Sequence, residues 1–153
     1  MNLYSQDIEM VFKDYFGEEH LWLDQVSKLD ELIEGKLVER EQLWALATKV
    51  TSSSDGMPHG NEVSDKVGNI VVKLRTLAEE TDALVDHYID YKREVIRTLE
   101  KLPAREYAVL HRFYIEYMTI NEIANAMGYS ESQVKRIKKK GLKNIKMIRN
   151  ELE

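Results

Sequence analysis

The sequence has no cysteine among its 153 residues, so it forms no disulfide bond and offers no thiolate to a metal ion. No apolar stretch approaches the ~18 residues of a membrane span, and the first residues lack the pattern of a signal peptide. We therefore expect a cytoplasmic protein without a membrane partner. Prolines number only two, and a composition of 43% hydrophobic and 32% charged residues is typical of a folded, soluble, helix-rich protein.

The chain is also poor in catalytic patterns. Each of its four histidines lacks a second ligand at helical or hairpin spacing, so we expect no metal and no other cofactor. Asp82, Asp86 and Asp90 form a carboxylate ladder that suggests a magnesium-dependent nucleotide hydrolase. However, they fall on outward positions of their helix, and the Glu-x-x-Glu ligand pairs of such enzymes are absent from the partner helix. We expect no enzymatic activity.

Acidic residues outnumber basic ones except in one segment. Residues 130–149 hold eight Lys or Arg against one acid, a net charge of +7 on a chain whose total is −5, so the other residues sum to −12. The eight are Lys135, Arg136, Lys138, Lys139, Lys140, Lys143, Lys146 and Arg149. A basic helix on an acidic protein indicates a polyanionic partner, above all the backbone of double-stranded DNA.

Capping residues predict a helix-turn-helix around this segment. Thr119 and Glu122 fit a capping box, in which a hydroxyl and a carboxylate satisfy backbone donors at a helix start. Ser130 and Gln133 repeat the pattern eleven residues later. Gly128 supplies the turn, because glycine adopts a positive φ at little steric cost.

Three short helices are expected to share one small core, with the first beginning at Pro103 as its first helical residue. The apolar face of that helix is Val109, Leu110, Phe113, Tyr114 and Tyr117. The faces of the next two helices are Ile120, Ile123, Ala124 and Met127, and then Val134, Ile137, Leu142, Ile145 and Ile148.

The first hundred residues have the periodicity of long helices. We predict a short amphipathic helix over residues 3–16, a helix from about residue 18 or 21 to 50, a loop over residues 51–62, and a helix capped by Ser64 that ends at Lys101. The inner side of the helix before the loop is predicted as Val26, Leu29, Ile33, Leu37, Trp44 and Ala47. The helix after the loop has a seam in heptad spacing: Val67, Ile70, Leu74, Leu77, Thr81, Leu84, Tyr88, Tyr91 and Val95. Such a helix cannot leave its apolar face bare, so the two should pack as an antiparallel, coiled-coil hairpin.

The predicted fold is therefore all-α, with an N-terminal helix and a long helical hairpin followed by the helix-turn-helix. We place the division at residues 1–101, for the hairpin and oligomerisation, and 102–153, for DNA binding. Val71, Ala78 and Val85 widen the apolar stripe beyond what a two-helix hairpin covers. The stripe needs the helix at residues 3–16 or a second subunit, and we expect a homodimer.

The early residues of a recognition helix enter the major groove, while basic residues further along hold phosphates. The candidates for base contacts are therefore Glu131, Ser132 and Arg136. The candidates for phosphate contacts are Lys135, Lys139, Lys140, the helix-start residues Thr119, Asn121 and Ser130, and Gln133, which capping partly occupies.

Residues 102–145 resemble region 4 of sigma-70-type factors, the module that reads promoter −35 elements. The resemblance runs without a gap through Arg105-Glu106, Val109-Leu110, Phe113-Tyr114, Glu122-Ile123-Ala124, Met127-Gly128, Ser130, Val134 and Leu142. It implies the same base-contacting residues, and Lys135 as a phosphate contact. Principal sigma factors have a base-reading acid where this chain has Ser132, so their consensus sequence is not the expected target.

Residues 43–67 resemble a family of small phage and prophage proteins similar to late-gene transcription regulators of the ArpU and RinA kind. This resemblance implies a regulator of phage or prophage late genes in a bacterial host. One alternative is a sigma-factor-like subunit of RNA polymerase. It would need a basic, aromatic surface that melts DNA, whereas residues 1–102 carry 12 Lys or Arg against 21 Asp or Glu. Another alternative is a coiled-coil assembly or packaging adaptor that uses its helix-turn-helix only for docking.

Overall fold

The computed structural model describes residues 18–52 and 60–152, and within those ranges all regular structure is α-helical. The helices are α1 (Glu18–Ser52), α2 (Gly60–Leu99), α3 (Ala104–Tyr114), α4 (Ile120–Met127) and α5 (Glu131–Glu151). The predicted all-α class is confirmed. The predicted helix over residues 3–16 lies outside the described residues. So do residues 53–59 of the predicted loop.

The long helices extend further into the predicted loop than expected. Helix α1 continues to Ser52, and α2 begins at Gly60, so Ser64 lies inside α2 and the prediction that it caps the helix is wrong. The earlier start places the carboxylate of Glu62 in the first turn, where it complements the positive end of the helix dipole. At the other end α2 stops at Leu99, two residues before the predicted end.

The described residues divide into two compact units, residues 18–28 with 89–152 and residues 29–52 with 60–88. In the second unit Lys36 Nζ lies 2.6 Å from Glu80 Oε2. At ~1.5 Å per residue, Lys36 lies ~24 Å before the C-terminal end of α1. Glu80 lies ~30 Å after the N-terminal end of α2. The seven residues between the helices span at most ~28 Å, too few to place these side chains together if the helices ran parallel. The hairpin is therefore antiparallel here.

The heptad seam of α2 is confirmed, because within each unit all nine of its predicted positions are buried or half-buried. The prediction for α1 is wrong at two positions, since Leu37 is 38% and Trp44 60% exposed. Lys36 and Leu43, one residue earlier in each case, are half-buried instead. Lysine suits such a position, because its aliphatic stem covers apolar surface while its ammonium reaches the partner helix.

The first unit contains the helix-turn-helix and the core that supports it. Val109 of α3, Ile123 and Ala124 of α4 and Val134 of α5 form a buried cluster. Partly buried apolar side chains surround it: Phe113, Met118, Ile120, Met127, Tyr129 and Ile137. All of these residues except Met118 and Tyr129 were predicted, so the three-helix core is confirmed in those members. The predicted Leu110, Tyr114 and Ile145 are buried as well.

Two predictions in this unit are corrected. Tyr117 is not buried but 44% exposed, and its φ of 57° is in the left-handed region, so its side chain turns away from the core. Pro103 precedes α3 as its N-cap residue rather than serving as its first helical residue. Its carbonyl accepts the first helical hydrogen bond, from the Tyr107 amide at 2.9 Å.

Candidate nucleic-acid interface

Two capping boxes fix the starts of α4 and α5. The Thr119 hydroxyl accepts from the Glu122 amide at 3.2 Å, and the Glu122 carboxylate accepts from the Thr119 amide at 2.8 Å. Ser130 and Gln133 repeat this exchange at 3.2 and 2.9 Å. Gly128 has a φ of 69°, the left-handed conformation that ends α4. The predicted turn is therefore confirmed, and it holds the first turn of α5 at the protein surface.

The solvent side of α5 carries a continuous set of unpaired cations, which we call the basic face. Its members are Lys135, Arg136, Lys139, Lys140, Lys143 and Lys146. All six side chains are exposed, and none makes an ion pair with another part of the described chain. Buried Val134, Gly141 and Ile145 lie on the opposite side of the helix. The basic face is thus free to meet an anionic partner.

The other two cations of α5 face inward and serve packing. Lys138 Nζ lies 3.9 Å from the centre of the Phe113 ring and 5.6 Å from that of Tyr114. Burial lowers the pKa of Lys138, an effect that Asp24 opposes. The Arg149 guanidinium lies 4.3 Å from the centre of the Trp22 ring. Counting charges along the sequence therefore overstates the charge that α5 offers to a partner by two.

The predicted base readers Glu131, Ser132 and Arg136 are all exposed in the first two turns of α5. Arg136 and Glu131 differ in whether another side chain binds them. Arg136 makes no ion pair with the described chain, whereas the Glu131 carboxylate accepts from Asn121 Nδ2 at 2.9 Å. The structure therefore links a predicted base reader to a predicted phosphate contact.

The predicted phosphate contacts form two groups. Lys135, Lys139 and Lys140 belong to the basic face. Thr119 and Ser130 accept backbone hydrogen bonds as caps, and their exposed hydroxyls adjoin the amide groups at the starts of α4 and α5. Gln133 uses its carbonyl oxygen for the Ser130 amide, as expected from the capping box, and keeps its side-chain N–H donors at the surface.

The sequence analysis counted Lys143 and Lys146 in the basic segment but did not name them as phosphate contacts, and the structure adds them to the basic face. Their spacing of seven residues from Arg136 and Lys139 was a signal, since residues seven apart share a helix face. The sequence analysis also did not predict the hydrogen bond that holds α5 against α3. Asn144 Nδ2 donates at 2.7 Å to the carboxylate of Glu106, which is only 4% exposed. That contact joins residues 38 positions apart, and neither side chain has a periodicity that marks it.

The N-terminal end of α1 supports the same helices. The Tyr114 hydroxyl and His20 Nδ1 are hydrogen-bonded at 2.5 Å, and the two rings meet edge to face. Burial and, to a smaller extent, Lys138 lower the pKa of His20, while Asp24 opposes them. Tyr91 of α2 donates to the carbonyl of Trp22 at 2.8 Å, and burial raises its pKa to about 12. These contacts place aromatic side chains beneath α5.

Comparison with known proteins matches this same segment. Residues 98–147 match the family model described as Sigma-70, region 4. The chain carries a sigma-70 region 4 domain. The match of this segment indicates a DNA-binding regulator or a sigma-like factor.

One curated relative extends beyond the region 4 domain. The chain is 23% identical over 144 residues to the RNA polymerase sigma factor SigO of Bacillus subtilis (strain 168), which covers 93% of this chain and 77% of that protein. No solved structure matches the chain. Among the described residues, no helix is long and apolar enough to cross a membrane, and no group of three His, Asp or Glu side chains is placed to hold a metal ion.

Proposed function

We propose that the protein is a sequence-specific DNA-binding transcription regulator that reads the major groove with α5. The observation that carries the proposal is the basic face, six exposed cations on the solvent side of the helix that follows the turn, none of them paired with an acid of the described residues. Phosphates are the partner that such a surface fits, because each neutralised phosphate releases counterions. The DNA-binding part is residues 102–153, with residues 1–101 as the helical and oligomerisation region.

Division of labour within α5 follows from side-chain chemistry. Arg136, exposed in the second turn, presents a planar guanidinium that fits the two acceptors of a guanine edge. Lys135, Lys139 and Lys140 are point charges on flexible stems and suit phosphates. Thr119, Asn121, Ser130 and Gln133 supply polar groups at the starts of α4 and α5. Glu131 and Ser132, in the first turn of α5, complete the surface that faces the bases.

Binding to random duplexes at several salt concentrations tests the basic face. One variant replaces four of its lysines with glutamine: Lys135, Lys139, Lys143 and Lys146. The matched control replaces four exposed cations of the long helices: Lys49, Lys66, Lys73 and Arg75. The first variant should bind weakly, with a salt slope reduced by ~0.9 for each lost phosphate contact, while the control keeps the slope of the wild type. Equal effects from both variants would refute a DNA surface on α5.

A second candidate is a sigma-factor-like subunit of RNA polymerase. The supporting observation is that the sequence similarity to the sigma factor SigO spans 93% of the chain, so it includes α1 and α2 and not only the region 4 domain. Incubation with core RNA polymerase followed by size exclusion and promoter-dependent transcription distinguishes the two. A sigma-like subunit co-elutes with the core and starts transcription without another sigma factor, whereas a regulator binds its DNA site alone.

We further propose that the genes regulated are late genes of a phage or prophage. The support is the resemblance of residues 43–67 to small phage and prophage proteins of the ArpU and RinA kind. Sequencing of the bacterial DNA fragments that the full chain retains checks this proposal. Retained fragments should lie upstream of phage structural or lysis genes, and fragments drawn only from other loci would contradict it.

A further inference from the structure

We infer that Asn121 positions the carboxylate of Glu131 to read the amino group of a cytosine in the major groove. This inference rests on the proposed function, since it assigns a base to one residue of the DNA-binding surface. Asn121 is on α4 and Glu131 is the first residue of α5, so their hydrogen bond crosses the turn between the two helices.

A third side chain fixes the orientation of the amide. Asn125 Nδ2 donates to Asn121 Oδ1 at 3.2 Å, so the amide of Asn121 presents its own Nδ2 to Glu131, at 2.9 Å. An ionised carboxylate only accepts hydrogen bonds, so the amide of Asn121 must present its N–H group to Glu131 while its oxygen accepts from Asn125. The chain from Asn125 through Asn121 to Glu131 therefore has a single consistent direction, and it ends on the carboxylate.

The carboxylate has another possible partner, which it does not use. Lys135 lies one helical turn further along α5, at the spacing where Glu and Lys commonly pair. Within the described chain Lys135 makes no ion pair, and Glu131 bonds to Asn121 instead. The contact with Asn121 draws Glu131 towards the turn and leaves Lys135 free for a phosphate.

The remaining capacity of the carboxylate defines the base. An ionised carboxylate only accepts hydrogen bonds. Asn121 occupies one position on Oε1, and Oε2 has no partner among the described residues. In the major groove cytosine presents an amino donor, whereas guanine and thymine present acceptor oxygens that repel a carboxylate. Adenine presents its amino group beside an acceptor nitrogen, and so fits less well. Because Asn121 already restricts the Glu131 side chain, less conformational entropy is lost when it meets the base.

The test is selection from a randomised duplex library with the full chain, followed by sequencing of the bound fraction. Wild-type protein should enrich a motif with one position at which cytosine dominates. Glu131→Gln, which adds a donor at nearly constant shape, should reduce the preference for cytosine over guanine at that position by roughly 5- to 150-fold, the range a base contact supplies. Asn121→Ala should reduce it by about 2- to 12-fold, the range of one hydrogen bond. Asn150→Ala, an exposed asparagine far along α5, is the matched control and should leave the motif unchanged.

A double variant separates positioning from general damage. If Asn121 acts through Glu131, adding Asn121→Ala to Glu131→Gln should change the base preference no further. Helical content should stay at the wild-type level in all these variants. An unchanged motif in Glu131→Gln, or a wild-type motif without a cytosine position, overturns the inference while the proposed function stands. If the wild-type protein binds no DNA at all, both this inference and the proposed function are overturned.

Discussion

Gly141 of α5 lies directly against Leu110 of α3, so that a Cβ atom on Gly141 would approach Leu110 Cδ1 to 2.8 Å. Both residues are buried, and the absence of a side chain on Gly141 lets the two helices come close. The same helix carries the basic face on its other side. Close packing at Gly141 therefore sets the position of the side chains proposed to meet DNA.

Gly141→Ala should destabilise the protein by ~1–3 kcal/mol, because the new methyl group forces Leu110 or the helix to move. Gly35→Ala and Gly68→Ala are the matched controls, since nothing lies within 4 Å of a Cβ at either position. Each should instead stabilise its helix by about 0.5–1 kcal/mol through the lower entropy of alanine in the unfolded chain. Urea unfolding measures all three, and a Gly141→Ala variant as stable as the wild type would contradict the packing.

Arg136→Ala should cost ~1–3 kcal/mol of affinity on the selected site and much less on random DNA, because only a base contact carries sequence information. Lys140→Ala should weaken binding to both kinds of DNA alike, since phosphates are the same at every site. Competition binding with the two kinds of duplex measures this. An equal loss on both duplexes in Arg136→Ala would show that Arg136 does not read a base.

Lys138→Gln and Lys139→Gln should differ although the residues are neighbours. Lys139→Gln should lower the salt slope of DNA binding by ~0.9, because Lys139 belongs to the basic face. Lys138→Gln should leave the slope at the wild-type value, because the Lys138 ammonium lies over the Phe113 ring. Titrations of random duplex at several salt concentrations give both slopes. A similar decrease in both variants would mean that Lys138 turns outward when DNA binds.

Stability should decline as the pH falls below about 6.5, through protonation of His20. Burial lowers the pKa of His20 in the folded protein below its usual 6.5. As the pH falls, the unfolded chain therefore binds the proton first, and this binding lowers the free energy of the unfolded state relative to the folded state. The contribution of neutral His20 to the free energy of unfolding is complete above that pH and is lost as the pH falls below it. Urea midpoints between ~pH 7.5 and ~pH 5.5 report the decline, a range above the usual pKa of carboxylates. His20→Gln should flatten this decline, because the variant has no imidazole to protonate.

We expect a homodimer that uses the wide apolar stripe of α2. Val71 of that stripe is 56% exposed, which leaves its apolar surface available to a second subunit. Light scattering at micromolar concentration should therefore give twice the 17.9 kDa of one chain. Val71→Glu should weaken the dimer, whereas Val72→Glu, at a position that is 64% exposed but off the stripe, should not. A wild-type protein that stays monomeric under these conditions would rule the dimer out.

The amino-acid sequence by itself determined the features that depend on near neighbours along the chain. The capping boxes at Thr119 and Ser130 and the left-handed turn at Gly128 are local, since each involves residues at most four positions apart. The seam of α2 is periodic, so nine positions with the same spacing predict burial together. These signals sufficed for the all-α fold and for the location of the turn.

Only the tertiary structure decided which side chains of α5 are available, because that depends on partners far away in the sequence. Lys138 and Lys139 are alike as residues, yet aromatic rings lie beneath the first and solvent surrounds the second. The orientation of Glu131 likewise depends on Asn121, across the turn. Trp44 was predicted on the inner face of α1 because large apolar residues are usually buried, but it is exposed. Which side of a helix is covered depends on the contact surface of the neighbouring helix.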